Sequence, residues 1–132
     1  MKRSLYAGAA AFGIIMLTSH LRSSPYNNYV LLADAFLHGH TWIDWPGQYI
    51  DALAYDGRHY VIEAPLPALL MLPLVALFGT HANQTLVAAL LGGVAIGAAW
   101  EVCERLEVDR RATLWLCAFL LAGTDLLWCA ML

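Results

Sequence analysis

Apolar positions gather into four blocks along the chain, separated by short polar stretches. A membrane-spanning helix needs about 20 mostly apolar residues. By that measure residues 5–21 predict a first span, 84–101 a second and 112–132 a third. The second is rich in Ala and Gly. Its Gly93 and Gly97 have the small-residue spacing of close helix contacts, read here as ordinary helix packing. The fourth block, Leu66–Phe78, opens on Pro65 and Pro67 and contains Pro73. About 13 residues suit an interfacial or re-entrant helix over 65–79.

Charge placement orients the blocks. Lys2 and Arg3 put the N-terminus in the cytoplasm, and Arg105, Arg110 and Arg111 belong there too. Both hold only if an even number of spans separates them, so the Pro-flanked block does not cross. Residues 102–111 then form a cytoplasmic loop and 22–64 an extracytoplasmic one. No A-x-A-like cleavage site follows Leu21, so the first span reads as an uncleaved signal anchor. The chain ends inside an apolar run, which predicts a truncated product.

The large loop has structure of its own. Tyr29, Val30, Ala33, Phe36 and Leu37 follow the helical period, so a short amphipathic helix is predicted over Tyr26–His38, stopped by Gly39. Asn27, Asp34 and His38 share its opposite stripe. Pro46-Gly47 signals a turn. Asp56-Gly57, set between Leu53-Ala54-Tyr55 and His59-Tyr60-Val61, signals a hairpin. The expected fold class is an all-α integral membrane protein. It has about three transmembrane helices and an extracytoplasmic loop carrying the amphipathic helix, the small hairpin and the Pro-flanked interfacial helix.

Composition strengthens the membrane reading. Hydrophobic residues make up 61% and charged residues 13%, with mean hydropathy +0.61; soluble domains sit nearer half apolar and a quarter charged. Membrane lipid is the expected partner. A net charge of -3 gives no basic footprint for nucleic acid. None of Cys103, Cys117 and Cys129 lies in the loop, so a disulfide framework is not expected. Without Walker A, GxGxxG, HExxH or CxxC patterns, no cofactor is expected either.

The loop's carboxylates are the candidate chemistry: Asp34, Asp51, Asp56 and Glu63, with Asp44 beside them. An extracytoplasmic carboxylate serves as a general base for an acceptor hydroxyl. Asp44, Asp51 and Asp56 also read as turn caps, most plainly Asp56 in its Asp-Gly turn. Asp34 leads, because Asp is a poor helix former in a helix interior and His38 lies one turn on. A solvated Asp–His pair and a carboxylate turned into a cavity are both open. Asp34, His38 and His40 lack further ligands at metal spacing, so no metal is expected. Asp125, inside the third block, either lines an interior route or sits at the interface.

The order of Asn27-Asn28-Tyr29-Val30-Leu31-Leu32-Ala33-Asp34-Ala35-Phe36-Leu37-His38-Gly39, Tyr55-Asp56-Gly57-Arg58-His59-Tyr60 and Glu63-Ala64-Pro65-Leu66-Pro67 resembles the N-terminal region of bacterial GT-C-type membrane glycosyltransferases. That group includes the dolichyl-phosphate-mannose-protein mannosyltransferase-like and RgtA/B/C/D-like proteins. The resemblance covers nearly the whole chain, as layout plus short phrases. It implies a multi-pass protein of the bacterial inner membrane that transfers sugar outside the cell from a polyprenyl-phosphate-sugar donor. It also implies an acidic base in the first outer loop and a lipid-phosphate contact near the Pro-flanked helix. Arg58 is the candidate phosphate contact, and Asn28 and His38 are candidate substrate contacts. Two departures stand out: Tyr26, Asn27 and Asn28 replace the family's acidic pair, and Glu63 replaces its Lys before the prolines. The alternative is a non-catalytic multi-pass protein, an accessory subunit or a transporter fragment.

Overall fold

The computed structural model describes residues 2–23, 25–44 and 51–131. The Pro46-Gly47 turn, with Trp45 and Tyr49, lies outside the described residues. In chain order the elements are α1 (Lys2–Thr18), α2 (Asn28–Leu37), β1 (Ala52–Tyr55), β2 (Arg58–Val61), α3 (Leu66–Phe78), α4 (Gln84–Arg105), α5 (Arg110–Ala122) and α6 (Asp125–Met131), with a 3-10 turn at Gly79–His81. The chain is mostly helical. It divides into two compact units, one of Met1–Arg22 with Thr85–Leu132, the other Ser23–Gln84.

The first unit is a set of helices around Ile15, Ala89, Ile96, Trp100, Cys117 and Leu121. Its closest contact is made of glycine. A Cβ added at Gly8 would sit 2.7 Å from the Gly93 carbonyl oxygen, and one at Gly93 2.8 Å from the Gly8 oxygen. At Gly97 the distance to the Ser4 carbonyl oxygen would be 3.1 Å. The Gly93/Gly97 spacing therefore marks a backbone-to-backbone approach of α4 to α1, tighter than ordinary packing.

Three spans are not what the helix lengths support. Among the described residues α4 alone is long and apolar enough to cross a membrane. Its 22 residues rise about 33 Å against a hydrocarbon core of about 30 Å. Of its most apolar 18-residue window, 28% is buried. The first expected span stops at Thr18, where Thr18 Oγ1 and Ser19 Oγ donate to the carbonyls of Ile14, Ile15 and Met16. The expected span 112–132 is two helices. Gly123 closes α5, and Thr124 Oγ1 donates to Leu120 O and accepts from Leu126 N, so helix hydrogen bonding ends and restarts there. Asp125 is thus the exposed first residue of α6 rather than a mid-span carboxylate.

The expected cytoplasmic loop is also shorter. Trp100 Nε1 donates to Glu104, and Arg105 pairs with Glu101 one turn earlier. These (i, i+4) contacts carry α4 four residues past the predicted end. The remaining turn ends on Asp109, whose carboxylate accepts from Arg111 N at 2.7 Å and Ala112 N at 3.3 Å as the N-cap of α5.

The second unit is built on α2, which starts at Asn28, two residues later than the period predicted. It ends as foreseen: Gly39 N donates to Phe36 O, His40 N to Ala35 O, and Gly39 takes φ +79, the left-handed turn that glycine adopts freely. The buried set is Asn28, Val30, Leu32, Ala33 and Ala35, wider than the single stripe expected. Leu37, assigned to that stripe, is exposed. The reason is that α2 is covered twice. Packing against α3 buries Ala68, Met71 and Val75. Along a second face Ala35 and Ile43 pack with Leu31, Ala52 and Val61.

The hairpin forms where Asp56-Gly57 signalled it, pairing Ala52 with Val61 through Tyr55 with Arg58. Asp56 (φ +48) and Gly57 (φ +73) both take the positive φ of a type I′ turn. Ile43 joins as a third segment, its N–H donating to His59 O at 2.8 Å. Pro65 is the N-cap of α3 and Pro67 lies in its first turn, where missing N–H groups cost nothing. The helix has 13 residues, and Gly79 at φ +58 ends it. Leu66, Leu69, Leu70, Leu77 and Phe78 stay exposed along it.

Candidate functional site

A cavity of about 470 Å³ opens beside the C-terminal half of α2. Its polar lining is Asp34, His38, His40, Asp44 and Thr80; Leu31, Ala35 and Ile43 line the rest. The sequence brings them together by three local devices. Asp34 and His38 are one helical turn apart. The Gly39 cap reverses the chain so that His40 returns past the helix end. The Ile43 bridge to the hairpin then fixes Asp44 at the cavity edge.

Asp34 and His38 do meet, more loosely than an ion pair. His38 Nδ1 lies 2.8 Å from the Asp34 backbone oxygen and 3.7 Å from Asp34 Oδ2, with the His38 side chain 68% exposed. His40 Nδ1 lies 2.8 Å from Trp42 O. A carbonyl oxygen only accepts, so Nδ1 is the donor in both contacts. The two imidazoles stack with centroids 6.4 Å apart. His40 also stacks on Trp42 at 4.2 Å, and the Arg58 guanidinium lies over the Trp42 ring at 4.0 Å. Arg58 is thus held by an aromatic face, an arrangement worth about 0.5–1 kcal/mol at an exposed site.

Asn28 and Glu63 form a second cluster. Asn28 Nδ2 donates to Glu63 Oε1 at 2.5 Å, although 35 positions separate them. Asn28 is 6% exposed. The buried Asn28 Oδ1 and Glu63 Oε2 have no partner among the described residues. Tyr29 adjoins them: its burial, and then the Glu63 charge, raise its phenol above the ordinary tyrosine range.

The remaining candidates are scattered. Asp56 is exposed at the hairpin turn, where its positive φ explains the residue type. Asp51 is exposed at the foot of β1, its carbonyl accepting from Ile62 N at 3.5 Å. Neither lines the cavity. Trp42 and Thr80 are the residues that the sequence reading gave no site role, while His40 entered it only as a weighed metal ligand and Asp44 only beside the leading carboxylates. The His38-Gly39-His40 spacing across a helix cap was the one available signal for His40. Among the described residues no group of three His, Cys, Asp or Glu side chains is placed to hold a metal ion. No family model, curated protein or solved structure matches the chain, so the cavity is interpreted from its own geometry.

Proposed function

We propose that the chain belongs to a polytopic bacterial inner-membrane glycosyltransferase of GT-C type. In this reading it uses a polyprenyl-phosphate-sugar donor on the extracytoplasmic side. α1, α4 and the α5–α6 segment lie in the bilayer, Ser23–Gln84 lies outside, and the exposed leucines of α3 rest at the lipid interface. Large apolar side chains turned outward in the first unit, among them Leu5, Val94, Trp115 and Phe119, support the membrane part.

The observation that carries the catalytic part is that Asp34 lines a cavity with a second carboxylate and two imidazoles. A general base placed there takes the proton from an acceptor hydroxyl as its oxygen bonds to the anomeric carbon of the sugar and the bond from that carbon to the phosphate oxygen breaks, so that polyprenyl phosphate leaves with the electron pair. Asp34 is the base, and Arg58 is the cation for the lipid phosphate. The test is sugar transfer by the reconstituted protein from a polyprenyl-phosphate donor. Asp34→Asn is expected to cut turnover about 100-fold or more, with unchanged turnover eliminating Asp34. The Asn28–Glu63 bond favours a second reading. It occupies the carboxylate nearest the head of α2, as suits a non-catalytic accessory subunit or transporter fragment, for which wild type would transfer no sugar from any donor.

A further inference from the structure

A second cavity, of about 250 Å³, opens in the first unit where α1 begins, α4 ends and α5 begins. Its lining includes Arg3, Trp100, Glu104, Glu107, Arg110 and Thr113. All three helices turn from polar to apolar at this level. Arg3 stands just before Leu5, Trp100 adjoins Glu101, and Arg110 and Arg111 precede Ala112. Gly97 against the Ser4 carbonyl holds the start of α1 beside the end of α4. With these helices in the bilayer, such a boundary is the headgroup layer, where tryptophan is favoured. A cavity at that depth meets lipid headgroups.

Its charges select among them. Arg3 and Arg110 offer guanidinium donors, which suit a phosphate. Neither has an ion pair or side-chain hydrogen bond among the described residues. Nearby charges are engaged elsewhere: Arg105 pairs with Glu101, and the Asp109 carboxylate caps α5. Glu104 and Glu107 add carboxylates to the same lining, and Trp100 Nε1 donates to Glu104 at 3.0 Å. The guanidiniums and carboxylates balance, so a purely anionic headgroup gains its phosphate contacts but faces both acids. A trimethylammonium has no N–H to give those acids, whereas a primary ammonium has three. The volume is also smaller than the about 300–1,000 Å³ of sites for whole small molecules, which suits a headgroup whose acyl chains stay in the bilayer.

We infer that this cavity binds the headgroup of a zwitterionic phospholipid with a primary ammonium, phosphatidylethanolamine. Its phosphate lies on Arg3 and Arg110 and its ammonium on Glu104 and Glu107. The inference rests on the membrane placement of α1, α4 and α5 and is independent of sugar transfer.

The test is native mass spectrometry of the whole chain in detergent, with phosphatidylethanolamine, phosphatidylglycerol and phosphatidylcholine of identical acyl chains. The first is expected to bind about fivefold more tightly than either other, the effect of one exposed ion pair. Arg3→Gln with Arg110→Gln should weaken all three lipids. Glu104→Gln with Glu107→Gln should remove the preference for ethanolamine over choline and strengthen phosphatidylglycerol binding. Glutamine keeps an oxygen for Trp100 Nε1, and opposite responses of phosphatidylglycerol to the two pairs separate recognition from unfolding. Glycerophosphoethanolamine, the same headgroup without acyl chains, should not compete at equal concentration. Four results would overturn the inference: equal binding of the ethanolamine and choline lipids, strongest binding of phosphatidylglycerol to wild type, an unchanged lipid order in both double variants, or competition by the chain-free headgroup. Release of the chain from membranes by alkaline carbonate would sink the membrane placement itself. Headgroup preference without sugar transfer would sink the transferase reading alone.

Discussion

The two units use apolar residues in opposite ways. Met1–Arg22 with Thr85–Leu132 puts glycine inside, where Gly8 and Gly93 bring two backbones together, and leaves Leu5, Trp115 and Phe119 outside. Ser23–Gln84 buries Val30, Leu32 and Met71, each worth about 1.5–3 kcal/mol of burial, and arranges its polar groups around a cavity. The difference teaches how each unit is held. In the first, burial of Ile15, Ile96 and Trp100 is joined by a close backbone contact that tolerates no added side chain. In the second, stability rests on ordinary side-chain burial plus one buried polar pair.

The comparison breaks most sharply at glycine. Gly93→Leu should cost about 3 kcal/mol or more, because the new side chain meets the Gly8 backbone rather than a movable side chain. Unfolding in detergent checks this, and a cost below about 1 kcal/mol would show that the helices do not touch. In the second unit Asn28→Ala should cost about 1–3 kcal/mol by leaving half-buried Glu63 without the one donor it has among the described residues. Denaturant unfolding measures it. Gly39→Ala should cost about 1 kcal/mol through its positive φ alone, since nothing crowds the site.

Two smaller effects sharpen the contrast. Gly13 lies in the same helix as Gly8, with nothing within 4 Å of an added Cβ. Gly13→Ala should therefore gain about 0.5–1 kcal/mol from helix propensity, opposite in sign to Gly93→Leu. Tyr29 predicts a pH effect confined to the second unit. Its folded value is raised, so its contribution is fully present below the ordinary tyrosine value and is lost as pH rises through the higher folded one. Stability should fall only above pH about 10, and Tyr29→Phe should remove that part of the fall. Ultraviolet phenolate absorbance, followed alongside unfolding, reads both.

Several elements were legible because one local cause suffices for each. Gly39 ends α2 through a backbone angle, Asp56-Gly57 closes the hairpin through two, and Pro65 and Pro67 sit at the N-cap and in the first turn of α3, where their missing donors do no harm. The width of the α2 face was not legible. A helix covered by one partner shows one stripe, but α2 is covered by α3 and by the hairpin region, so Leu32 and Ala35 are buried as well. The break at Gly123-Thr124 was hidden inside an apolar run, since hydropathy does not record where a threonine hydroxyl replaces a helix hydrogen bond.

The site divides in the same way. Asp34 and His38 were found because (i, i+4) residues share a helix face whatever the rest of the chain does. Asp44 reaches the cavity only because Ile43 bridges to the hairpin, and Asn28 meets Glu63 only because α2 and α3 pack. By itself the sequence determined α2 with its glycine stop, the Asp56-Gly57 turn, the Pro-flanked α3 and the excess of apolar residues, which depend on backbone angles and composition. The tertiary structure alone decided which carboxylates line a common cavity and which glycines touch, because both depend on contacts between residues far apart in the chain.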